Sequence, residues 1–378
     1  MHQDSQYGDR HQAGGDPSDG LLEDLPPNLR ESLRPRRAAP EPTEPRGVPQ
    51  HIGARPPSYP PAPSGAPSVN GGDWYGATLP DIELDGGSYG PLTVRGASVR
   101  GDAHRHLHEC RQDALGVIRI GPTSSPATAT ATDTTEDGLL LLAVADGVGS
   151  APLSHRGSHG MVAMAAQCLD RVAGQLAAAL RAEDAGALRT LVEDAVDLAA
   201  ARLRRTRPSE RPEQYATTLR ALLVPLDPEV RVRGFFAVGD GGLFRLRPDG
   251  WHSIRGGGPE DSHALHSAHG PHPSYDRSTP HSQDIIDTRT AALPAAYDRV
   301  TTSLLAPSEP GDVLVLCTDG LEGPLTGNPE LRRLLAAHWG SGAAVPQPAD
   351  FLWQAQTRVK SYDDDRTVIC LWEGVAAP

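Results

Sequence analysis

The chain has 378 residues, a formal charge of −13, 36 prolines, 40 glycines and only 4% aromatic residues. That excess of acid excludes nucleic acid and anionic membrane surfaces as default partners, and no apolar run approaches the length of a membrane span. So much Pro and Gly beside so few aromatics predicts ordered and unstructured stretches in the same chain.

The opening MHQDSQYGDRHQ lacks the apolar core of a secretory signal. Cys110, Cys168, Cys317 and Cys370 are scattered, with no CxxC pair, as expected of buried thiols in a reducing, cytoplasmic compartment. Residues 1–90 read as a disordered Pro/Gly-rich tail, because runs such as RPRRAAPEPTEPRGVP bury too little surface to offset the entropy of ordering them. Within the tail, PPSYPPAP is the candidate docking ligand for a proline-reading partner.

A folded domain is expected over 91–378. Val94–Val99 and Leu115–Ile120 read as strands, with the polar HRHLHECRQD between them and a polar loop over 121–137. Leu139–Ala145 is an uninterrupted apolar run of strand length that ends in Asp146-Gly147. Apolar residues at Met161, Met164, Cys168, Val172, Leu176 and Leu180 predict a helix over Ser158–Leu180, and a second is expected over Ala185–Arg205. Strands are expected at Thr218–Leu226, Val230–Val238 and Gly242–Arg247, with Gly239-Asp240-Gly241 turning between the last two. Residues 255–298, with His263, His266, His269, His272 and His281 among Gly, Pro and Ser, read as a mobile surface insertion rather than a metal site. Asp312–Cys317 is another buried-type strand, followed by helices near Pro329–Trp339 and Ala349–Lys360 and a last strand at Thr367–Trp372. Clustered strands with helix pairs between them predict a layered α+β domain with largely antiparallel sheets.

Acids recur at the ends of these runs. Asp113 precedes LGVIRI, Asp146 follows LLLLAVA, Asp240 follows FFAVG, Asp319 follows VLVLCT, and Asp363–Asp365 lead into TVICLW. Carboxylates gathered on one rim of a sheet repel one another unless a cation compensates them. An all-oxygen donor set favours Mg²⁺ or Mn²⁺, and two such ions can activate a water and clamp a phosphoryl group.

The ordered blocks ADGVGS, YATTL, VGDGG, LCTDGLEG and DDRT resemble the protein phosphatase 2C family of metal-dependent Ser/Thr phosphatases, over about 92–374. The resemblance implies a four-layer α-β-β-α sandwich with a two-metal centre at one edge. It implies that Asp146 bridges two Mn²⁺ or Mg²⁺ ions, that the Gly147 carbonyl binds one, and that Asp319 and Asp364 complete the other's ligands. Asp113 matches an acid that holds a metal-bound water, and Asp240 a residue that bacterial members use for a third, weaker metal. Several positions depart from the pattern: Gln112 stands for a Glu, His108 for a phosphate-binding Arg, Val148 for a His and Gly323 for an acid. His104 is the candidate phosphate contact in place of the missing Arg, and Asp363 and Asp365 read as a solvated acidic patch.

The implied activity is hydrolysis of phosphoserine or phosphothreonine in the protein products of a Ser/Thr kinase, by a metal-activated water. Two alternatives remain at this level. One is a catalytically weak phosphatase-like module that binds a phosphoprotein as a regulator, motivated by Gln112, Val148 and Gly323. The other is a small-molecule phosphoesterase.

Overall fold

The computed structural model describes residues 48–60, 73–122, 138–254, 262–264, 291–307 and 309–374, all within the unit Arg46–Pro378. Two antiparallel sheets carry the fold. In the first, four strands run in the order β4 (Ala114–Ile120), β5 (Leu139–Ala145), β6 (Leu219–Pro225) and β7 (Arg233–Val238), with β11 (Thr301–Leu305) on the outer edge of β7. The second has β3 (Leu92–Val99), β14 (Arg366–Glu373), β12 (Val313–Cys317) and β8 (Gly242–Arg247) at its centre. It is flanked by β2 (Ile82–Tyr89) on one side and by β9 (Gly250–Ile254) with β10 (Ser262–Ala264) on the other.

The apolar runs explain the layering. Side chains alternate across a strand, and in β5 the two sets go to different cores. Leu139, Leu141 and Ala143 pack outward against helices α3 (Ser154–Asp170), α4 (Ala173–Arg181) and α5 (Ala185–Thr206). Leu140, Leu142 and Val144 pack inward against the other sheet, where they meet Leu314, Leu316, Ile369 and Leu371. In β12 the outward set, Val313, Val315 and Cys317, packs under α6 (Asp319–Gly327), α7 (Pro329–Trp339) and α8 (Pro348–Ala355). Strands buried on both faces read as continuous apolar runs. The result is the expected four-layer α-β-β-α sandwich.

Several boundaries differ from expectation. The fold begins before residue 91: β2 pairs along its whole length with β3, Ile82 opposite Val99 and Tyr89 opposite Leu92. Earlier still, Val48 and Ile52 are buried, β1 (His51–Ile52) runs parallel to β13 (Arg358–Val359), and a short helix, α1, spans Trp74–Thr78. The tail reading missed these because β2 is an edge strand with polar and glycine residues, and an edge strand needs little apolar sequence. The segment between β3 and β4 contains helix α2 (Asp102–Leu107). The expected helix over 158–180 is two, broken at Arg171–Val172, and the last helix stops at Ala355 because β13 follows. The tail before residue 48, most of the 121–137 loop and most of the 255–298 insertion lie outside the described residues. Cys168, Cys317 and Cys370 are buried and free. No helix among the described residues is long and apolar enough to cross a membrane.

Candidate metal centre

Strand pairing brings the acids to one edge. Ala114 lies opposite Ala145, so Asp113 and Asp146 flank the same end of the β4–β5 pair. Cys317 lies opposite Val368 and Gly242, which puts Asp319, the Asp363–Asp365 run and the Asp240 turn at one end of the second sheet. Hydroxyls join the two sheets there. Thr318 Oγ1 and Thr367 Oγ1 donate to Asp113 Oδ2 at 2.8 and 2.7 Å. Thr318 caps the start of α6 without using its hydroxyl on that helix, since Asp113 takes it. Asp319 then occupies the first helical turn, where a negative charge suits the helix dipole.

The backbone is fixed as tightly as the acids. Thr218 Oγ1 accepts the Asp146 N–H at 2.9 Å, and the Asp146 carbonyl accepts from Thr218 N and Thr217 Oγ1, each at 2.8 Å. Gly147 pairs with Thr217, and a Cβ on it would stand 2.8 Å from Ser154 Cβ and 3.0 Å from the Gln112 carbonyl. A Cβ on Gly320 would stand 1.8 Å from the Asp365 carbonyl. Both glycines of the two DG motifs are therefore required by close packing.

The acids also act on one another electrostatically. Burial, and then the neighbouring carboxylates, push Asp113, Asp146 and Asp319 above the usual carboxylate range: Asp365 acts on Asp113, Asp113 on Asp146, and Asp364 on Asp319. Asp113 Oδ1 is buried without a hydrogen-bond partner, which in a protein interior calls for a ligand or a cation. Asp240, on an exposed turn at the same end of the sheet, also pushes Asp319 upward. These oxygen donors fit hard divalent cations.

His104 lies on α2 beside this cluster. Its Nδ1 is 2.8 Å from Asp365 Oδ1, and its Nε2 is 3.8 Å from Asp364 Oδ1 and 3.7 Å from Glu109. Burial alone would lower its pKa, but Asp365 and then Asp364 raise it to about 9.

Asp365 corrects the solvated-patch reading. Only 2% exposed, it accepts the Gly101 N–H at 2.6 Å and the Gln112 N–H at 2.5 Å, as well as facing His104. The DDDR run looks like a solvated charge cluster, and the backbone donors that bury its third acid come from residues more than 250 positions away. Gln112, one of the departures, uses its side chain to accept from Ser154 Oγ at 2.7 Å. Val148 packs with Ala151, Ala216 and Ala292. Sequence reasoning also missed Thr318 and Thr367. Their one signal was a hydroxyl residue next to each strand-end acid.

Residues 100–352 match protein phosphatase 2C. The chain belongs to the protein phosphatase 2C family. No curated protein matches it. Among solved structures, it is similar to the Mycobacterium tuberculosis serine/threonine phosphatase PstP/Ppp, with 20% identity, 75% of this chain and 99% of that chain covered, and a TM-score of 0.44. The catalytic domain of PstP in complex with two manganese ions gives 18%, 74%, 97% and 0.42. RsbX in complex with magnesium gives 18%, 76%, 98% and 0.41.

Proposed function

We propose that this member of the family is a Mn²⁺- or Mg²⁺-dependent phosphoprotein phosphatase acting on phosphoserine and phosphothreonine. The observation that carries this reading is the convergence of Asp113, Asp146, Asp319 and Asp364 from two sheets, with Asp113, Asp319 and Asp364 all pushing the Asp146 carboxyl upward and Asp113 Oδ1 buried without a hydrogen-bond donor. Divalent cations bound there would neutralise charge on the phosphoryl group and lower the pKa of a water enough to make hydroxide available as the nucleophile at neutral pH. In this reading Asp146, the Gly147 carbonyl, Asp319 and Asp364 hold the cations. Asp113, with Oδ2 fixed by two threonine hydroxyls, offers Oδ1 to orient a water. His104, with Nδ1 fixed by Asp365, presents Nε2 to a phosphoryl oxygen. Asp240, on a turn at the same end of the second sheet, would hold a third, weaker cation.

Asp146→Asn tests this directly. Hydrolysis of p-nitrophenyl phosphate in Mn²⁺ is expected to fall by about three orders of magnitude, as when a principal charge-stabilising group is lost, while the circular dichroism spectrum stays that of the folded protein. Full metal-dependent turnover by that variant contradicts the assignment. Tight phosphopeptide binding by wild type without any turnover favours the regulatory module instead.

A further inference from the structure

Beside the acid cluster lies a cavity of about 260 Å³, walled by α2, the start of β14, the α8–β13 turn and the segment Pro49–Gln50. Trp353, Tyr362, Ile82 and Val99 give it apolar sides, while Gly101 and Asp364 connect it to the cluster. Its polar walls carry Arg100, Arg105, Arg358 and Arg366 together with Asp102, Asp363 and Asp364.

The commitments of those arginines differ. Arg358 is spent on Asp102 at 2.6 Å and on the Tyr59 carbonyl at 2.6 Å. Arg366, only 6% exposed, gives its hydrogen bonds to the carbonyls of Gly320, Ala355 and Thr357. A guanidinium held only by carbonyls keeps its full charge. Arg100 pairs with Asp81 through Nη1, yet its buried Nε has no partner, and neither does the buried Thr357 Oγ1 on the same wall. Arg105 is held loosely, by contacts of 3.4 Å to Asp102 and 3.5 Å to Asp81. Of the acids in the wall, Asp102 is taken by Arg358 and Asp364 faces the cluster, which leaves Asp363 opposing them. Four arginines and three aspartates share the wall, and Asp81 beside it is divided between Arg100 and Arg105. The buried Arg100 Nε and Thr357 Oγ1 still lack acceptors, and an anion entering the cavity supplies one.

We propose that this cavity is a recognition subsite for an anionic side chain, a carboxylate or a second phosphoryl group, carried by a protein substrate close to its phosphoresidue. The proposal rests on the phosphatase reading of the neighbouring cluster and names its substrate class. A residue adjacent to the phosphoresidue lies 3–4 Å further along an extended chain, which matches a cavity sharing Gly101 and Asp364 with the cluster. The volume suits one or two side chains rather than a cofactor. Arg105, the least committed of the cations, is the group that a substrate anion recruits.

The test uses the full chain in Mn²⁺ and fluorescein-labelled peptides bearing a non-hydrolysable phosphonate analogue of phosphoserine. Flanking positions carry glutamate, a second phosphonate or lysine, and binding is read by fluorescence anisotropy. Wild type is expected to bind the glutamate peptide about fivefold more tightly than the lysine peptide, the range of a partly exposed charge pair. That ratio falls to about one in Arg105→Ala and inverts in Arg105→Glu. Tightening by the second phosphonate alone assigns the subsite to a phosphoryl group, and tightening by both assigns it to anions generally. Equal affinities in wild type, or a preference untouched by Arg105→Glu, overturn the proposal. Turnover of p-nitrophenyl phosphate, too small to reach the cavity, is measured alongside and is expected to stay unchanged in both variants. If wild type binds the peptides with the expected ratio yet turns over nothing, it is the phosphatase reading that fails and the subsite that survives.

Discussion

Thr318 of one sheet donates its hydroxyl to Asp113 of the other, 2.8 Å away, and Thr367 repeats the contact on the same oxygen at 2.7 Å. Two neutral donors thereby hold a fully buried carboxyl group on one side, while Oδ1 on the other is buried without a donor. Removing one of them without changing its shape, by Thr318→Val, leaves a buried charge short of a donor. The expected loss is about 2 kcal/mol in urea unfolding, with Thr318→Ser recovering most of it. A Thr318→Val protein as stable as wild type would show that the carboxylate does not depend on this contact.

The cation-free cluster is a stability liability because Asp146 and Asp319 each feel neighbouring carboxylates across a buried site. Mn²⁺ at a hundred times its dissociation constant is expected to add about 2.7 kcal/mol, read as a rise in melting temperature reversed by EDTA. Asp319→Asn is expected to melt higher than wild type in EDTA, since repulsion is relieved, and to gain little from Mn²⁺. The opposite signs separate a metal ligand from a merely structural acid.

Gly320→Ala is expected to cost roughly 3 kcal/mol or more, the scale of mutations that force backbone apart. The added Cβ would meet the Asp365 carbonyl at 1.8 Å, so the start of α6 or the turn before β14 must move. Gly149→Ala is the control: its Cβ would find open space, and the protein is expected to unfold at the wild-type urea concentration.

The pH dependence has a distinct local source behind the site. Burial lowers the pKa of His155, and Arg156 and Arg207 outweigh part of the help from Asp73, whose carboxylate lies 2.5 Å away. Burial pushes Asp73 itself upward, but Arg156 holds it below the usual range, so the two residues are best described as a neutral imidazole beside an ionised carboxylate. Tyr75 stacks on the same ring. With a folded pKa below the unfolded value near 6.5, the unfolded chain binds the extra proton. The His155 contribution is therefore complete above neutral pH and lost as pH falls below about 6.5. Between pH 7.5 and 5, the urea midpoint is expected to drop further for wild type than for His155→Gln. Parallel curves would contradict this.

Much of the fold was legible because its central strands are buried on both faces. Leu139–Ala145 and Val313–Cys317 read as continuous apolar runs, and each ends in the acid that matters. What could not be read was the partition within a run, since Leu139 and Leu140 are equally apolar and only the sheet decides which core each joins. The edge strand β2 escaped because Asp85, Gly86 and Gly87 interrupt it, although Gly86 at φ +135° sits where the backbone requires glycine. At the site, residues beside apolar runs were found. Asp365 was misplaced because its burial comes from Gly101 and Gln112, contacts that no local pattern encodes.

The measurement that bears most directly on the central claim is phosphate release by the purified chain from a panel of phosphoserine and phosphothreonine peptides set against phosphorylated metabolites. It is run with Mn²⁺ and again in excess EDTA. Release from the peptides that requires Mn²⁺ and exceeds release from the metabolites is the predicted result. Equal release in EDTA, or release from the metabolites alone, would contradict it.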